Sequence, residues 1–286
     1  MLELLLLAIA PTLFIFLSIY RKDCYEPEPL HLVAWVFFLG ALTVIPAALI
    51  ELLFPEGVLS SAFVAPVVEE GLKFLVVVFA IYRHPEFDEP MDGIVYATAA
   101  GLGFATIENI LYVVEGGIAV GIIRAIASVP GHVVFSCIWG FALGTAKFRP
   151  ENERSGIILA GLFSAMLLHG IFNFSLEVFE VAGLFLILLV IIPFGWWMTC
   201  RNIRCAHGHE ASACSVQGRM AAGRAAGTVQ GTSRDSALLT TIAQSPAPAQ
   251  QFCTNCGSPI KTGMRFCKNC GKELEGIRGD RAGSFP

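Results

Sequence analysis

Charge is what this sequence has least of. Of its 286 residues only 15% are Asp, Glu, Lys or Arg, while 55% are hydrophobic, and the mean hydropathy is +0.67. A soluble domain has about a quarter of its residues charged, so a chain this apolar belongs in a bilayer. A basic run or stripe is missing too. With a net charge of −4 and a pI near 5.9 there is no electrostatic footprint for DNA or RNA, and no nucleic-acid partner is expected. Cysteines at framework spacing are absent before the C-terminal region: of nine, four cluster near the end and the others are scattered, which excludes a secreted disulfide scaffold.

What is there, first of all, is a series of apolar stretches of about 20 residues, the length that crosses some 30 Å of hydrocarbon. They run over Leu2–Tyr20, His31–Phe54, Leu59–Tyr82, Gly93–Val114, Ile118–Ala146, Gly156–Leu176 and Ala182–Met198. The expected fold is an all-α polytopic membrane protein with seven transmembrane helices. The first stretch has no basic residues ahead of it and no clear cleavage site, and Arg21 and Lys22 follow it, so it reads as an uncleaved anchor. Arg21/Lys22, Arg83, Lys147/Arg149/Arg154 and Arg201/Arg204 follow spans one, three, five and seven, while the other loops carry acids. By the positive-inside rule the N-terminus faces out and the C-terminus faces the cytoplasm.

Composition divides the chain further. Residues 1–200 form the membrane domain, and residues 201–250, rich in Ala, Gly, Ser, Thr and Gln, read as a flexible linker unable to bury a core. Within it "CAHGHEASAC" has soft ligands at a spacing that fits no recognisable metal site. Residues 251–275 hold "CTNCGSPIKTGMRFCKNCG", in which Cys253, Cys256, Cys267 and Cys270 form two CxxC knuckles, each followed by glycine. Four thiolates at this spacing suit a tetrahedral structural zinc, as in a zinc ribbon, and reduced thiols agree with a cytoplasmic position. A disordered tail, 276–286, follows.

The membrane domain contains polar groups that lipid cannot accept. In "APVVEEGLKFLVVV", Glu69, Glu70 and Lys73 would each cost about 2.5–3.5 kcal/mol at a helix centre facing lipid, so they must face the protein interior or a wet cavity. Lys73 lies one turn from both glutamates and can neutralise one; a structural ion pair leaves the other unexplained. "GFATIENILYV" adds Glu108 and Asn109, with Tyr112 one turn on. "RAIASVPGHVVFS" sets Arg124, Ser128 and His132 at i,i+4 steps around Pro130, which can bend the helix into a cavity. "LLHGIFNFS" puts His169 and Asn173 on one face. Alternating span direction places these groups between the midplane and the outer leaflet. Four helices bringing ionisable groups to similar depth point to a buried functional site. The residue types suit hydrolysis. Glu69 or Glu70 would take a proton from water, while His132, His169 and Asn173 would support the oxyanion or hold a metal. Lys73, Glu108 and Asn109 would orient or neutralise.

At these residues the sequence resembles the PrsW-type intramembrane proteases, relatives of the CAAX prenyl endopeptidases and Abi proteins. The pattern EExxK matches Glu69 to Lys73, FAxxEN matches Phe104 to Asn109, and the later histidines fall on His132 in "SVPGH" and His169 in "HGIFNF". "RKDCYEPEP", Arg21 to Pro29, is similar to the segment after the family's first span. The resemblance covers roughly the first 200 residues. It implies hydrolysis of a peptide bond in a membrane-anchored protein, in some members an anti-sigma regulator. Members have been classed as metalloproteases and as glutamate proteases. Two histidines and a carboxylate also suit zinc with an open position for water, and a glutamate-activated water is the preferred reading. The C-terminal module resembles ribbons appended to many prokaryotic membrane proteins, which implies recruitment of a cytoplasmic protein partner. Two rivals come from other classes. A proton-coupled transporter would show repeat symmetry, but EExxK has no counterpart in spans five to seven. An inactive scaffold binding a single-span partner would tolerate loss of the glutamates.

Overall fold

The computed structural model describes residues 2–23, 27–207, 251–252 and 259–260. The chain forms two units, 1–206 and 207–286. In the first unit eight α-helices follow one another: α1 (Leu2–Tyr20), α2 (Leu30–Leu42), α3 (Val44–Glu51), α4 (Ala65–Ala80), α5 (Pro90–Ile123), α6 (Val129–Lys147), α7 (Glu151–Leu186) and α8 (Ile192–Ala206). Each of the seven apolar stretches is helical over most of its length. By length and composition three continuous helical runs among the described residues are long and apolar enough to cross a membrane: Leu30–Glu51, Pro90–Lys147 and Glu151–Ala206. Helix α8 continues through residues 201–206, which composition had assigned to the linker.

Prolines set the breaks. Pro46 cannot bond the carbonyl four residues back, and the ladder between α2 and α3 is interrupted at Thr43. Three π-helical turns, Ser60–Val64, Arg124–Ser128 and Ile187–Ile191, each end two residues before a proline: Pro66, Pro130 and Pro193. The reason is the same each time. The proline ring crowds the i−4 carbonyl and has no N–H for it, so hydrogen bonding slips to the i−5 pattern ahead of the ring.

Helices α5 and α7 also double back. Gly117 has φ 71° inside α5 and Glu180 φ 46° inside α7. Along a straight helix, residues eight apart lie about 12 Å from each other. Here a Cβ on Gly183 would overlap the Ser175 carbonyl oxygen, and one on Gly121 would lie 3.1 Å from Val113 Cγ2. Each long run is therefore two helices folded at a single residue, and at Glu180 a non-glycine side chain holds the left-handed backbone.

Helix α5 is the centre of the unit. Every residue from Met91 to Thr106 is buried, and α1, α2 and α6 pack around it. Large apolar side chains such as Phe14, Phe79 and Leu189 are exposed on the outside, an arrangement suited to lipid rather than water. The α5–α6 crossing depends on absent side chains: a Cβ on Gly93 would overlap the Gly140 carbonyl oxygen and lie 2.7 Å from Gly144 N. In the second unit, β1 (Gln251–Phe252) pairs antiparallel with β2 (Pro259–Ile260). Cys253, Cys256, Cys267 and Cys270, and with them most of the linker and the tail, lie outside the described residues.

The segment following α1 is tied to α5. Tyr96 Oη donates to the Glu28 carboxylate, Tyr20 Oη donates to the Glu28 carbonyl at 2.7 Å, and Glu28 N–H reaches Asp23 Oδ2 at 3.3 Å. At the start of α5, Asp92 Oδ2 accepts the Asp88 and Glu89 amides at 2.6 and 2.7 Å in a reciprocal cap with Glu89. Burial pushes the Glu28 carboxyl up to about 7.

Two outcomes are expected. Gly140→Leu forces α5 and α6 apart and destabilises the unit by at least about 2 kcal/mol, read as a lowered thermal midpoint in detergent with earlier loss of the monodisperse species. The second concerns pH. An acid raised in the fold stays protonated there while the unfolded chain has released its proton, so the unfolded state binds fewer protons and stability falls as pH rises. Glu28's contribution is complete below its ordinary value of 4.5 and lost as pH climbs through about 7. Thermal unfolding across that window should show a declining midpoint in the wild type and a flatter profile in Glu28→Gln.

Candidate active site

The site begins where the first π turn delivers α4. Ala65 N–H bonds Ser60 O in the π pattern, and the next amide in line, residue 66, belongs to a proline. Ser61 O is thus left without a backbone donor, and Asn173 Nδ2 from α7 supplies one at 2.9 Å. Gly170 makes this approach possible, since a Cβ there would overlap the Ala62 carbonyl oxygen. His169 is carried in by the same turn of α7.

Lys73 is at the centre. Its ammonium is fully buried and sits 3.1 Å from Glu69 Oε2, 2.9 Å from Glu70 Oε1 and 3.0 Å from His132 Nδ1. It also lies over the Phe104 ring, 4.1 Å from the centroid. An ammonium can only donate, so His132 Nδ1 accepts. The proton of His132 is then on Nε2, which donates to Glu108 Oε2 at 2.8 Å. Glu108 Oε2 is also 2.9 Å from an Arg124 guanidinium nitrogen. Arg124 Nε donates to Asn109 Oδ1 at 2.7 Å, and the guanidinium stacks 4.1 Å from the Tyr112 centroid.

The two adjacent glutamates differ. Glu70 is completely buried and saturated: Oε1 takes Lys73 and, at 3.1 Å, His169 Nδ1, while Oε2 takes the Trp139 indole N–H at 2.9 Å. Glu69 is bonded to Lys73 alone among the described contacts, and its side chain keeps 9% of its surface exposed. His169 is stacked on Phe135 with ring centroids 4.5 Å apart and planes 15° from parallel, which fixes the ring. With Nδ1–H directed at Glu70, its Nε2 has no hydrogen-bond partner among the described residues.

The structure thus gathers Glu69, Glu70, Lys73, Glu108, His132 and His169 into one continuous network, with Asn109 joined through Arg124. Asn173 stands apart, tying α7 to the turn before α4 instead of joining the carboxylates. Two members were not assigned from sequence. Arg124 was visible at i,i+4 spacing from Ser128 and His132, and its intramembrane charge was the available signal. Trp139 had none, because an indole in an apolar run looks like core until its N–H partner is known.

The donor set also fits a metal by chemistry. Glu69, Glu70 and His169 bring ligand atoms within 4.8 Å of one another, as do Glu69, Glu108 and His132. Carboxylate oxygen with imidazole nitrogen is a usual set for zinc. Lys73 contacts members of both groups, so a metal there would share its ligands with a fixed positive charge.

A family model described as PrsW family intramembrane metalloprotease matches residues 28–198, and a zinc-ribbon domain model matches residues 252–274. Protease PrsW of Geobacillus kaustophilus is 39% identical over 215 residues, covering 73% of this chain and 94% of that protein. Protease PrsW of Oceanobacillus iheyensis is 41% identical over 202 residues, covering 67% and 93%, and that of Bacillus subtilis 36% over 206 residues, covering 68% and 92%. No solved structure matches. The chain, with its buried acids and histidines held in an all-helical membrane unit, belongs to the PrsW family of intramembrane proteases.

Proposed function

We propose that Glu69 is the general base of peptide-bond hydrolysis and Glu70 the anchor of the site. The supporting observation is their unequal saturation. Glu70 accepts three hydrogen bonds from Lys73, His169 and Trp139 without exposed surface, whereas Glu69 accepts one and stays partly open. A base needs a free lone pair within reach of water. Glu69 takes the proton of the attacking water, whose oxygen adds to the scissile carbonyl carbon. Protonation removes the charge that held one Lys73 N–H, and the ammonium turns toward the oxyanion forming nearby. Glu69 then passes its proton to the leaving nitrogen as the C–N bond breaks. Glu70, locked by Trp139 and His169, keeps Lys73 within reach throughout, and Glu108 with Arg124 and Asn109 orients His132. A catalytic metal, where one is bound, would be held by Glu69 with Glu70 and His169, or by Glu69 with Glu108 and His132. It would supply Lewis acidity and a more acidic water.

The family implies a membrane-protein substrate, and an anti-sigma-type regulator is the class we favour. Folding of α5 and α7 back on themselves supports five crossings from the three continuous runs, to which α1 and α4 would add two for seven, and the loop charges support an outer N-terminus and a cytoplasmic C-terminus. In the ribbon, Cys253, Cys256, Cys267 and Cys270 would close a structural zinc site with no open position. Its role is then recruitment of a cytoplasmic partner rather than hydrolysis.

The two glutamates should separate in variants. Glu69→Gln is expected to lower turnover of a single-span substrate at least about a hundredfold while the thermal midpoint is kept. Glu70→Gln should lose activity together with about 1–3 kcal/mol of stability, as charged acceptors of Lys73, His169 and Trp139 disappear. Wild-type turnover in Glu69→Gln would overturn the assignment. Orientation is checked with single cysteines in a background lacking the native ones. Glu56→Cys should react with an impermeant thiol reagent on intact cells, and Arg83→Cys only after lysis; the reverse pattern would invert the topology.

A further inference from the structure

The two histidines of the site are held unequally. The His132 ring is fixed through both nitrogens, by Lys73 and Glu108, whereas His169 has one described hydrogen bond, from Nδ1 to Glu70 Oε1 at 3.1 Å. One such bond does not define an imidazole. It tolerates a wide range of angles, so by itself it leaves the ring free to turn about its Cβ–Cγ bond.

The second restraint is aromatic, and it comes from a pattern written on two helices. His132 and Phe135 are three residues apart on α6, as His169 and Phe172 are on α7, so each helix presents a histidine and a phenylalanine on one face. Helices α6 and α7 pack together, and the four rings interlock. Phe135, only 1% exposed, touches the other three. It lies flat on His169, and it stands edge-on to His132 with centroids 6.3 Å apart and to Phe172 with centroids 5.8 Å apart. A Cβ on Gly131 would lie 3.4 Å from ring atoms of both phenylalanines, so the two rings share one closely packed space.

Turning about Cβ–Cγ tilts the imidazole plane, and a parallel ring 4.5 Å away opposes any tilt. A half-turn would keep the plane but put a carbon where Nδ1–H stands, and the bond to Glu70 opposes that. Phe135 thus sets the plane, and Glu70 selects between its two orientations. We propose that Phe135 is a positioning residue for peptide-bond hydrolysis. By holding the His169 plane it keeps Nδ1–H on Glu70 Oε1, the oxygen that also holds Lys73. This rests on the roles given above to Glu70 and Lys73, and neither the sequence motifs nor the hydrolytic scheme includes Phe135.

The ring and the reaction are read separately. In full-length protein in detergent carrying isotopically labelled histidine, the His169 signals are those missing from His169→Gln. Wild type should give one sharp Nδ1–H resonance, Phe135→Leu should broaden or split it, and Phe135→Tyr, which keeps an aromatic face, should restore it. Cleavage of a single-span substrate should follow the same order. In Phe135→Leu, kcat is expected to fall at least about tenfold with KM within about twofold of wild type, and Phe135→Tyr should recover most of the loss. The resonance needs no substrate, so it stands apart from Glu69→Gln, whose cleavage defect tests the hydrolytic reading itself. A sharp wild-type resonance in Phe135→Leu would overturn the proposal, as would wild-type kcat in that variant. Equal loss in the leucine and tyrosine variants at a wild-type thermal midpoint would overturn it too, because aromaticity would then not be what matters. If Phe135→Leu does not fold, Phe135→Met, whose unbranched side chain adapts to irregular space, is read by the same two measurements, and a wild-type resonance there counts against the proposal.

Discussion

A fully buried ammonium is tolerated only where its neighbours replace the water it has lost, and Lys73 meets that condition with Glu69, Glu70 and His132. Most of the site follows from this one placement. Because Lys73 must donate to His132 Nδ1, the other ring nitrogen carries the proton and must find an acceptor, which is Glu108. Glu108 in turn requires a cation, Arg124, and Arg124 is held by Asn109 and Tyr112. Each step is the electrostatic consequence of the one before it. A low-dielectric surrounding raises the cost of breaking any single step.

Proline has a second, less visible influence. Three of these residues interrupt the helices by the same mechanism, replacing an α turn with a π turn just ahead of the ring. Two of the three interruptions border the site, before α4 and before α6. A π turn leaves a backbone carbonyl to be satisfied from outside, and at Ser61 this recruits Asn173 and draws α7 close, with His169 on the same turn. The irregularity that would be a defect in a simple span is thus a means of bringing a distant helix to the buried glutamates, tolerated because it is buried in protein.

Saturation is what distinguishes neighbouring acids that look equivalent. Glu69 and Glu70 are adjacent on one helix, about 100° apart around its axis. That rotation sends Glu70 toward Trp139 on α6 and His169 on α7, and leaves Glu69 bonded to Lys73 with part of its side chain exposed.

Much of this protein was readable from its residues alone. Hydrophobic length located the helices, because a bilayer demands some twenty apolar residues and tolerates few others. The cost of intramembrane charge singled out Glu69, Glu70, Lys73, Glu108, His132 and His169, because lipid gives such groups no alternative but a shared interior. CxxC spacing marked the ribbon for the same kind of reason, ligand geometry being local. Tertiary structure alone decided the rest. Periodicity cannot tell which of two adjacent glutamates is saturated, that an apolar-looking tryptophan donates to one of them, or that Asn173 answers a proline more than a hundred residues earlier. Such roles depend on which helices cross and at what distance, and those are settled by close contacts such as Gly93 against Gly140 and Gly170 against Ala62, interactions between segments that no local pattern encodes.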